Sequence, residues 1–378
     1  MKVVHVAHNY FPGIGLAAMY EFCLQEAKLG LNVQAIVLGR HKEGILEEDY
    51  DGVHLYKIPS VDISARSLKK LEFIRETANI LKKLDCDIVH VYSNLGLGIL
   101  PILVGRSKKK WLYDIRSGPV HPGISRLIGL VGLRVESQLF DLCTASSMGT
   151  RDMVFPQNEK RVPVFSMGVN MERFQPMDGR EIRKRYHIKP DQILIIFTGT
   201  LHPTRKLDQM IRAMLPVRDN SRDNVILMIL GDGPDRERLQ QLVHTLKLDN
   251  NIIMTGSVDF NQVPQYLCAA DIGLAYVPNT AEYGPQPALK VAEMLACGLP
   301  VAASDTPGNR LLIKDQENGL IFHENDQNFL LKIVDLFFCD RALFEQFTKS
   351  ARKSIADYDY KIIIKDVILP TYSSLLSL

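Results

Sequence analysis

No apolar run in this chain reaches the ~20 uncharged residues that a bilayer span needs, so the sequence gives no reason to expect a transmembrane helix. The opening stretch, MKVVHVAHNYFPGIG, turns polar too early for a secretory signal. A first strand kept in the mature chain, and a cytoplasmic location, are the expectation. Charge of one sign is also missing: 45 Lys and Arg against 43 Asp and Glu leave a formal +2. A dedicated nucleic-acid binder would carry a strongly basic face, so no nucleic-acid partner is expected. The six cysteines (Cys23, Cys86, Cys143, Cys268, Cys297, Cys339) are scattered with no close pair in sequence. That is neither a zinc pattern nor a disulfide framework, and buried, reduced thiols are the default. There is no H-E-x-x-H, and no D-x-D placed to hold Mg²⁺ against a diphosphate. No G-x-S-x-G elbow or Cys/His pair suggests acyl transfer either. Neither a metal nor a bound cofactor is therefore expected.

What is present is an α/β chain of two domains. A length of 378 residues exceeds one ordinary domain, and 46% hydrophobic with 23% charged residues is globular. Lys2 to Ala7 reads as a strand, followed by a loop with Gly13 and Gly15 and a helix from Leu16 to Leu29. That is the opening unit of a doubly wound sheet, although a full G-x-G-x-x-G is lacking. The two glycines either only make the turn or let a ligand approach the backbone closely. Strands follow at Asn32–Val37, Gly52–Tyr56 and Asp87–Tyr92, with a helical pattern at Leu68–Leu84. Alternating strands and helices predict a largely parallel sheet. KKKWLYDIR (Lys108–Arg116) is a further strand, whose carboxyl end carries Asp114 and Arg116. The helical pattern Ile124–Phe140 after it is densely apolar and has cationic neighbours, Arg106, Lys108, Lys109 and Lys110. The pair suits peripheral contact with an anionic membrane. The plainer alternative, a core helix beside a solvated charge run, stays open.

Val162–Val169 looks like a strand leaving the first domain, and Asp178–His187 like a helix. A fresh α/β unit opens at Ile193–Gly199 and is repeated at Val225–Leu230 and Asn251–Ser257. The predicted boundaries are 1–170 and 171–357, with a C-terminal helical segment, 358–378, broken by Pro370. Two such halves facing each other make a cleft, where ligands are usually found.

The stretch EYGPQPALKVAEMLACGLPV (Glu282–Val301) organises the second half. It reads as a loop, then a helix starting near Pro287, then a strand. Helix N-termini present free N–H groups and the positive end of a dipole, so the loop holding Gly284, Gln286, Ala288 and Leu289 is a place for a phosphate. Lys290 and Glu293 share a face of that helix. One can meet a phosphate and the other a pair of sugar hydroxyls, against the plain alternative of a surface ion pair. The turn Gly199-Thr200-Leu201, followed by Arg205 and Lys206, adds two cations at the carboxyl end of a strand. Arg grips phosphate oxygens bidentately and Lys acts as a point charge. Gly231-Asp232-Gly233-Pro234 is explained by turn chemistry alone.

These motifs carry a resemblance. GTLHPTRKLDQMI, LMILGDGP, IIMTGSV, ADIGLAYVP and LKVAEMLACGLPVAASDTPG resemble retaining glycosyltransferases of the two-Rossmann GT-B architecture, family 4. FPGIG, DGVHLYKIP, DIVHVYS and MGVNMERF in the first half agree. The resemblance implies transfer of a sugar from a UDP- or GDP-linked donor to a saccharide or lipid-linked acceptor, without a metal. It implies that Glu293 binds the ribose, that Arg205, Lys206 and Lys290 hold the diphosphate, and that Gly256-Ser257-Val258 meets the base. It also implies that the C-terminal helix crosses back onto the first domain. Two positions depart from the family pattern. Pro285 stands where many relatives have a glutamate, leaving Glu282 as the nearest acid. Arg116, with Asp114 before it, stands where many have a histidine near the reacting sugar. An epimerase or phosphorylase on the same architecture is one alternative; a sugar-nucleotide binding protein that has lost catalysis is the other, and Pro285 is what keeps that second one open.

Overall fold

A computed structural model describes residues 1–11, 17–60, 66–105, 109–119, 123–156, 162–220, 222 and 224–377, apart from the side chains of 66–68. The chain divides into two compact units: Met1–Gly168 together with Tyr360–Leu378, and Val169–Asp359. Each is an α/β unit built on its own sheet.

The first unit holds β1 (Lys2–Tyr10), β2 (Asn32–Gly39), β3 (Leu46–Tyr50), β4 (Val53–Pro59), β5 (Ile88–Tyr92), β6 (Lys110–Ile115) and β7 (Leu142–Ala145), in the sheet order β3-β4-β2-β1-β5-β6-β7. All pairings are parallel except the β3–β4 ribbon. In a strand successive side chains point to opposite faces, so residues two apart share one. On β6, Trp111, Tyr113 and Ile115 pack in one hydrophobic layer while Leu112 lies in the other. The same parity sends His5, His90, Tyr92 and Asp114 to the face covered by the helix Ala17–Lys28 and by the C-terminal helix.

The second unit holds β8 (Ile193–Thr198), β9 (Val225–Leu230), β10 (Ile252–Gly256), β11 (Ile272–Ala275), β12 (Val301–Ser304) and β13 (Gly319–Phe322), all parallel, in the order β10-β9-β8-β11-β12-β13. Strands ILIIFT and VILMIL are buried at every position, as a parallel sheet covered on both faces requires. Their odd residues enter one core layer and their even residues the other. Chain order reverses between β8 and β11, and such a switch point leaves a crevice outside the strand carboxyl ends.

Several local expectations change. Val162–Val169 is not a strand: it makes isolated bridges, Val164 to Ala145 and Val169 to Asp359. The predicted helix at Asp178–His187 is confined to Arg180–Arg185. Strands β3, β7 and β13 were not anticipated; β3, LEEDY, is largely exposed and so carries no apolar alternation to read. Pro370 does not break the C-terminal helix. A π-turn at Ile364–Ile368 joins Tyr360–Ile363 to Leu369–Ser377, and this wider turn absorbs the hydrogen bond that proline cannot donate. Cys339 is exposed and Cys268 half-buried, so the expectation of buried thiols holds for the other four.

Candidate functional site

At the switch point of the second unit, the loop after β8 meets the loop and helix after β11. The helix spans Leu289–Ala296, two residues later than predicted, with Ala288 at its N-cap and no side chain capping it. The first N–H groups of such a helix have no intrahelical partner. The preceding loop is folded on itself. The Gly284 amide donates to Thr280 (2.8 Å) and the Gln286 amide to Tyr283 (3.1 Å), so these two hold the loop together. Gly308 donates to the Gly284 carbonyl at 2.8 Å, and a Cβ at Gly308 would lie 2.2 Å from the Gln286 oxygen. Two backbones touch there, which only glycine permits.

Lys290 is the central feature. It is 8% exposed, and its Nζ is buried without a hydrogen-bond partner. It rests 3.7 Å above the centre of the Phe197 ring, from β8. Burial pulls its pKa well below the ordinary lysine value; Arg205 adds to this and Glu293 opposes it. A side chain at Gly199, whose φ is +149°, would press to 3.3 Å from Nζ. An ammonium buried beside a second cation is an unusual arrangement, because buried charges are ordinarily paired. Two cations brought together in this way suit an anionic ligand.

Arg205 closes the turn Pro203–Arg205, and its guanidinium stands 5.2 Å from the centre of the Tyr283 ring. Burial lowers its pKa, with Tyr283 acting the other way. Thr204 Oγ1 lies 2.7 Å from Tyr283 Oη and 2.8 Å from His202 Nδ1, so the two loops are tied at this point. Lys206 is exposed and takes the left-handed backbone (φ +50°) that links this turn to the next helix. Thr200 is exposed and Leu201 fully buried. Glu293 and Glu282 are half-buried.

The flanking strand ends are stitched together. Gly199 donates to Leu230 at 3.0 Å, Leu201 to Asp232 at 2.9 Å, and Gly231 to Gly256 at 3.1 Å. A Cβ at Gly231 would come within 1.9 Å of the Gly199 oxygen, and one at Gly233 within 2.2 Å of the Leu201 oxygen. The glycines of GDGP are therefore there for close backbone packing, beyond the turn chemistry read from the sequence. Gly256 (φ +78°) turns the chain after β10 and is buried, Ser257 is exposed and Val258 half-buried.

The structure thus gathers Lys290, Arg205, Gly199 and the start of the helix Leu289–Ala296. Asp114 and Arg116 belong to the first unit. Asp114 is fully buried and accepts from Thr144 Oγ1 (3.0 Å), with His90 Nε2 and Arg116 Nη1 each at 3.4 Å. Burial alone would raise its pKa, but Arg116, His90 and Thr144 outweigh it and hold the carboxyl low. Arg116 is spent on the carbonyl oxygens of Phe165 (2.6 Å) and Ser166 (3.5 Å). Gly13 and Gly15 lie outside the described residues, as do Arg106 and Lys108. Phe197, His202, Thr204 and Tyr283 were missed by the sequence reading. Tyr283, in the middle of EYGPQP, was the one with a signal, being an aromatic inside an otherwise turn-forming loop. Among the described residues no three His, Cys, Asp or Glu side chains converge as a metal site would require.

The family "Glycosyl transferases group 1" matches residues 178–354, nearly all of the second unit. A GDP-mannose-dependent alpha-mannosyltransferase of Mycobacterium tuberculosis is 24% identical, over 97% of this chain and 95% of its own. Among solved structures, the sucrose-phosphate synthase of Thermosynechococcus elongatus superposes with a TM-score of 0.81 at 16% identity, covering 100% of this chain and 99% of that one. Anabaena HepE in complex with UDP-glucose gives 0.76 at 15% identity, covering 99% of this chain and all (100%) of that one.

Proposed function

We propose that this chain, a glycosyltransferase of the GT-B fold whose second unit belongs to glycosyl transferases group 1, moves a sugar from a UDP- or GDP-linked donor with retention of anomeric configuration and without a metal ion. The observation that carries the reading is the unpartnered, buried Lys290 ammonium at the switch point, beside Arg205 and an uncapped helix start. As the bond between sugar and diphosphate breaks, negative charge grows on the phosphate oxygens. Donors already in place stabilise that charge without reorganising. Lys290 and Arg205 take the diphosphate, with Lys206 and the amides at Leu289 and Lys290 as further donors. Glu293, one turn along the same face, accepts from the ribose hydroxyls, and the turn Gly256–Val258 meets the base. Retention without a carboxylate nucleophile follows if the acceptor attacks from the side the leaving group vacates and the departing phosphate takes its proton. Glu282 is the acid assigned to the donor sugar's hydroxyls, and Asp114 and Arg116 are assigned to shaping the first unit's strand ends.

The test is turnover. The protein is incubated with a panel of UDP- and GDP-sugars, with saccharide and lipid-linked acceptors, in magnesium and in EDTA, and the product anomer is read by NMR. Retained configuration with equal rates in both buffers is expected, and Arg205→Ala should cut the rate more than it weakens nucleoside binding. Nucleotide binding without turnover on any acceptor would favour a binding protein instead, and an inverted product would sink the mechanism.

A specific observation favours a lipid-linked acceptor at an anionic membrane surface. On the helix Ile124–Ser137, Ile124, Leu127, Ile128, Val131 and Val135 are exposed, Ile124 by 78%. The spacing i, i+3, i+4, i+7, i+11 puts them on one face. Ile99, Ile102 and Leu103 are exposed on the neighbouring segment. The helix's one acid, Glu136, turns inward to the Gly96 and Gly98 amides and the Tyr113 hydroxyl, leaving Arg126 and Arg134 as its other charges. An apolar face free of carboxylates suits shallow insertion at the inner face of an anionic bilayer. No helix among the described residues is long and apolar enough to cross one. Flotation with phosphatidylglycerol vesicles should carry the wild-type chain, and an Ile124→Ser/Ile128→Ser variant should stay at the bottom. Equal flotation of both, or a dimer in sedimentation that the double variant dissolves, would refute bilayer docking.

A further inference from the structure

Cys268 and Cys297 are distant in sequence and adjacent in space. Cys268 lies on the helix Val263–Ala269, and Cys297 follows the last residue of the helix Leu289–Ala296. Both sit at the amino-terminal edge of the second unit's sheet, the edge opposite the switch point. Both line one surface pocket of about 390 Å³, together with Met177, Asp271, Arg341 and Glu345. Cys268 is half-buried and opens to this pocket, with Sγ 3.5 Å from the Gln175 carbonyl oxygen. Cys297 is 5% exposed, and its thiol and that of Cys268 interact across the wall of this pocket. Both cysteines are free.

We propose that Cys268 and Cys297 form a redox-active dithiol, oxidised by small disulfides that enter this pocket. In the first exchange the Cys268 thiolate attacks one sulfur of a disulfide R–S–S–R. A Cys268–S–S–R bond forms, the R–S–S–R bond breaks, and one thiolate leaves. In the second, Cys297 gives up its proton to solvent and its sulfur attacks Cys268 Sγ. The internal disulfide forms as the bond to R breaks, releasing the second thiolate. Two cysteines are oxidised and one small disulfide is reduced to two thiols.

The assignment of attacking and resolving sulfur follows from exposure and hydrogen bonding. The hydrogen bond from Cys297, helped by the Met177 amide against the effect of burial, pulls the Cys268 thiol down to about 7. That bond and burial push Cys297 up. A thiol with a pKa near ambient pH is a good attacking group, because it combines thiolate fraction with nucleophilicity. The other thiols are internal controls: Cys23, Cys86 and Cys143 are buried, while Cys339 is exposed and has no such neighbour in this pocket.

The experiment uses the full, reduced chain and glutathione disulfide, with intact mass and peptide mapping as readouts. In the wild type, two thiols should vanish with no glutathione retained, and the Cys268 and Cys297 peptides should be joined. Cys297→Ser should stop at a stable glutathione adduct on Cys268, and Cys268→Ser should give neither product. A glutathione adduct that persists on Cys268 in the wild type would overturn the proposal. So would modification of Cys339 while Cys268 stays free. Nucleotide-sugar turnover does not enter these readouts, so the proposal stands or falls independently of the transferase reading.

Discussion

Replacing Lys290 by Met separates what the ammonium does for the fold from what it does for a ligand. Met has nearly the reach of the lysine stem and no charge to strip of water. A buried ion keeps a desolvation penalty of several kcal/mol, and the Phe197 ring offsets about 2 kcal/mol of it, so Lys290→Met should stabilise the unliganded second unit by about 1–3 kcal/mol. For a unit of this size each kcal/mol moves the melting temperature by about 2–4 °C. A rise in Tm is therefore expected in calorimetry without nucleotide. The pH dependence gives an independent check. Because burial lowers the Lys290 pKa in the folded state, the unfolded chain binds more protons between that lowered value and the ordinary lysine value. Stability then increases with pH across that window, so the wild type should gain on the variant as pH rises through it. With UDP or GDP present the order should reverse. A charge-assisted hydrogen bond is worth about 1.5–3 kcal/mol, so the variant should bind at least about tenfold more weakly and lose most of the ligand-induced rise in Tm. A Lys290→Met protein that melts lower than wild type without ligand, or binds nucleotide as tightly, would refute the reasoning.

Glu293→Ala should weaken nucleotide binding by about tenfold or more, measured by calorimetry, for loss of a charged hydrogen-bond acceptor; unchanged affinity would count against its place on the ribose. Gly231→Ala forces a Cβ to 1.9 Å from the Gly199 oxygen and should cost about 3 kcal/mol or more. Gly30→Ala, at φ +84° with nothing within 4 Å, meets backbone strain alone and should cost about 1 kcal/mol. Equal denaturation midpoints for these two would mean that the loop can move aside. Tyr372 Oη bridges His90 Nδ1 (2.6 Å) and Glu26 Oε1 (3.1 Å), both fully buried. Tyr372→Phe should cost about 1–3 kcal/mol and speed amide exchange across 360–377, and unchanged exchange would show that packing alone holds that helix.

What was legible in the sequence was whatever has a local period. ILIIFT and VILMIL announce buried parallel strands, and alternation with helices announces the sheet type. The donor-side helix was also visible, because apolar spacing and the stop at Cys297-Gly298 bracket it. Its start was misjudged by two residues because Pro287 is a familiar opening residue, whereas here the loop folds back on Thr280 and Tyr283 first. What stayed hidden depends on residues far apart in the chain. Nothing near Lys290 says that it will lie over Phe197, nothing near GDGP says that its glycines abut Gly199 and Leu201, and Cys268 gives no sign of Cys297. Asp114 and Arg116 illustrate the converse. An acid and a base at a strand end are visible in the sequence, but only the fold shows that strand parity places the carboxylate in a buried network with His90 and Thr144.

The C-terminal helix has a consequence for biosynthesis. Residues 169–359 form a contiguous unit that can fold as soon as it clears the ribosome, whereas the first unit needs 360–377 before its apolar face is covered. Until Tyr372 arrives, Glu26 and His90 on the nascent first unit lack a shared partner. The apolar face of the first unit thus stays uncovered until 360–377 is made, and surface exposed in that way is prone to aggregation.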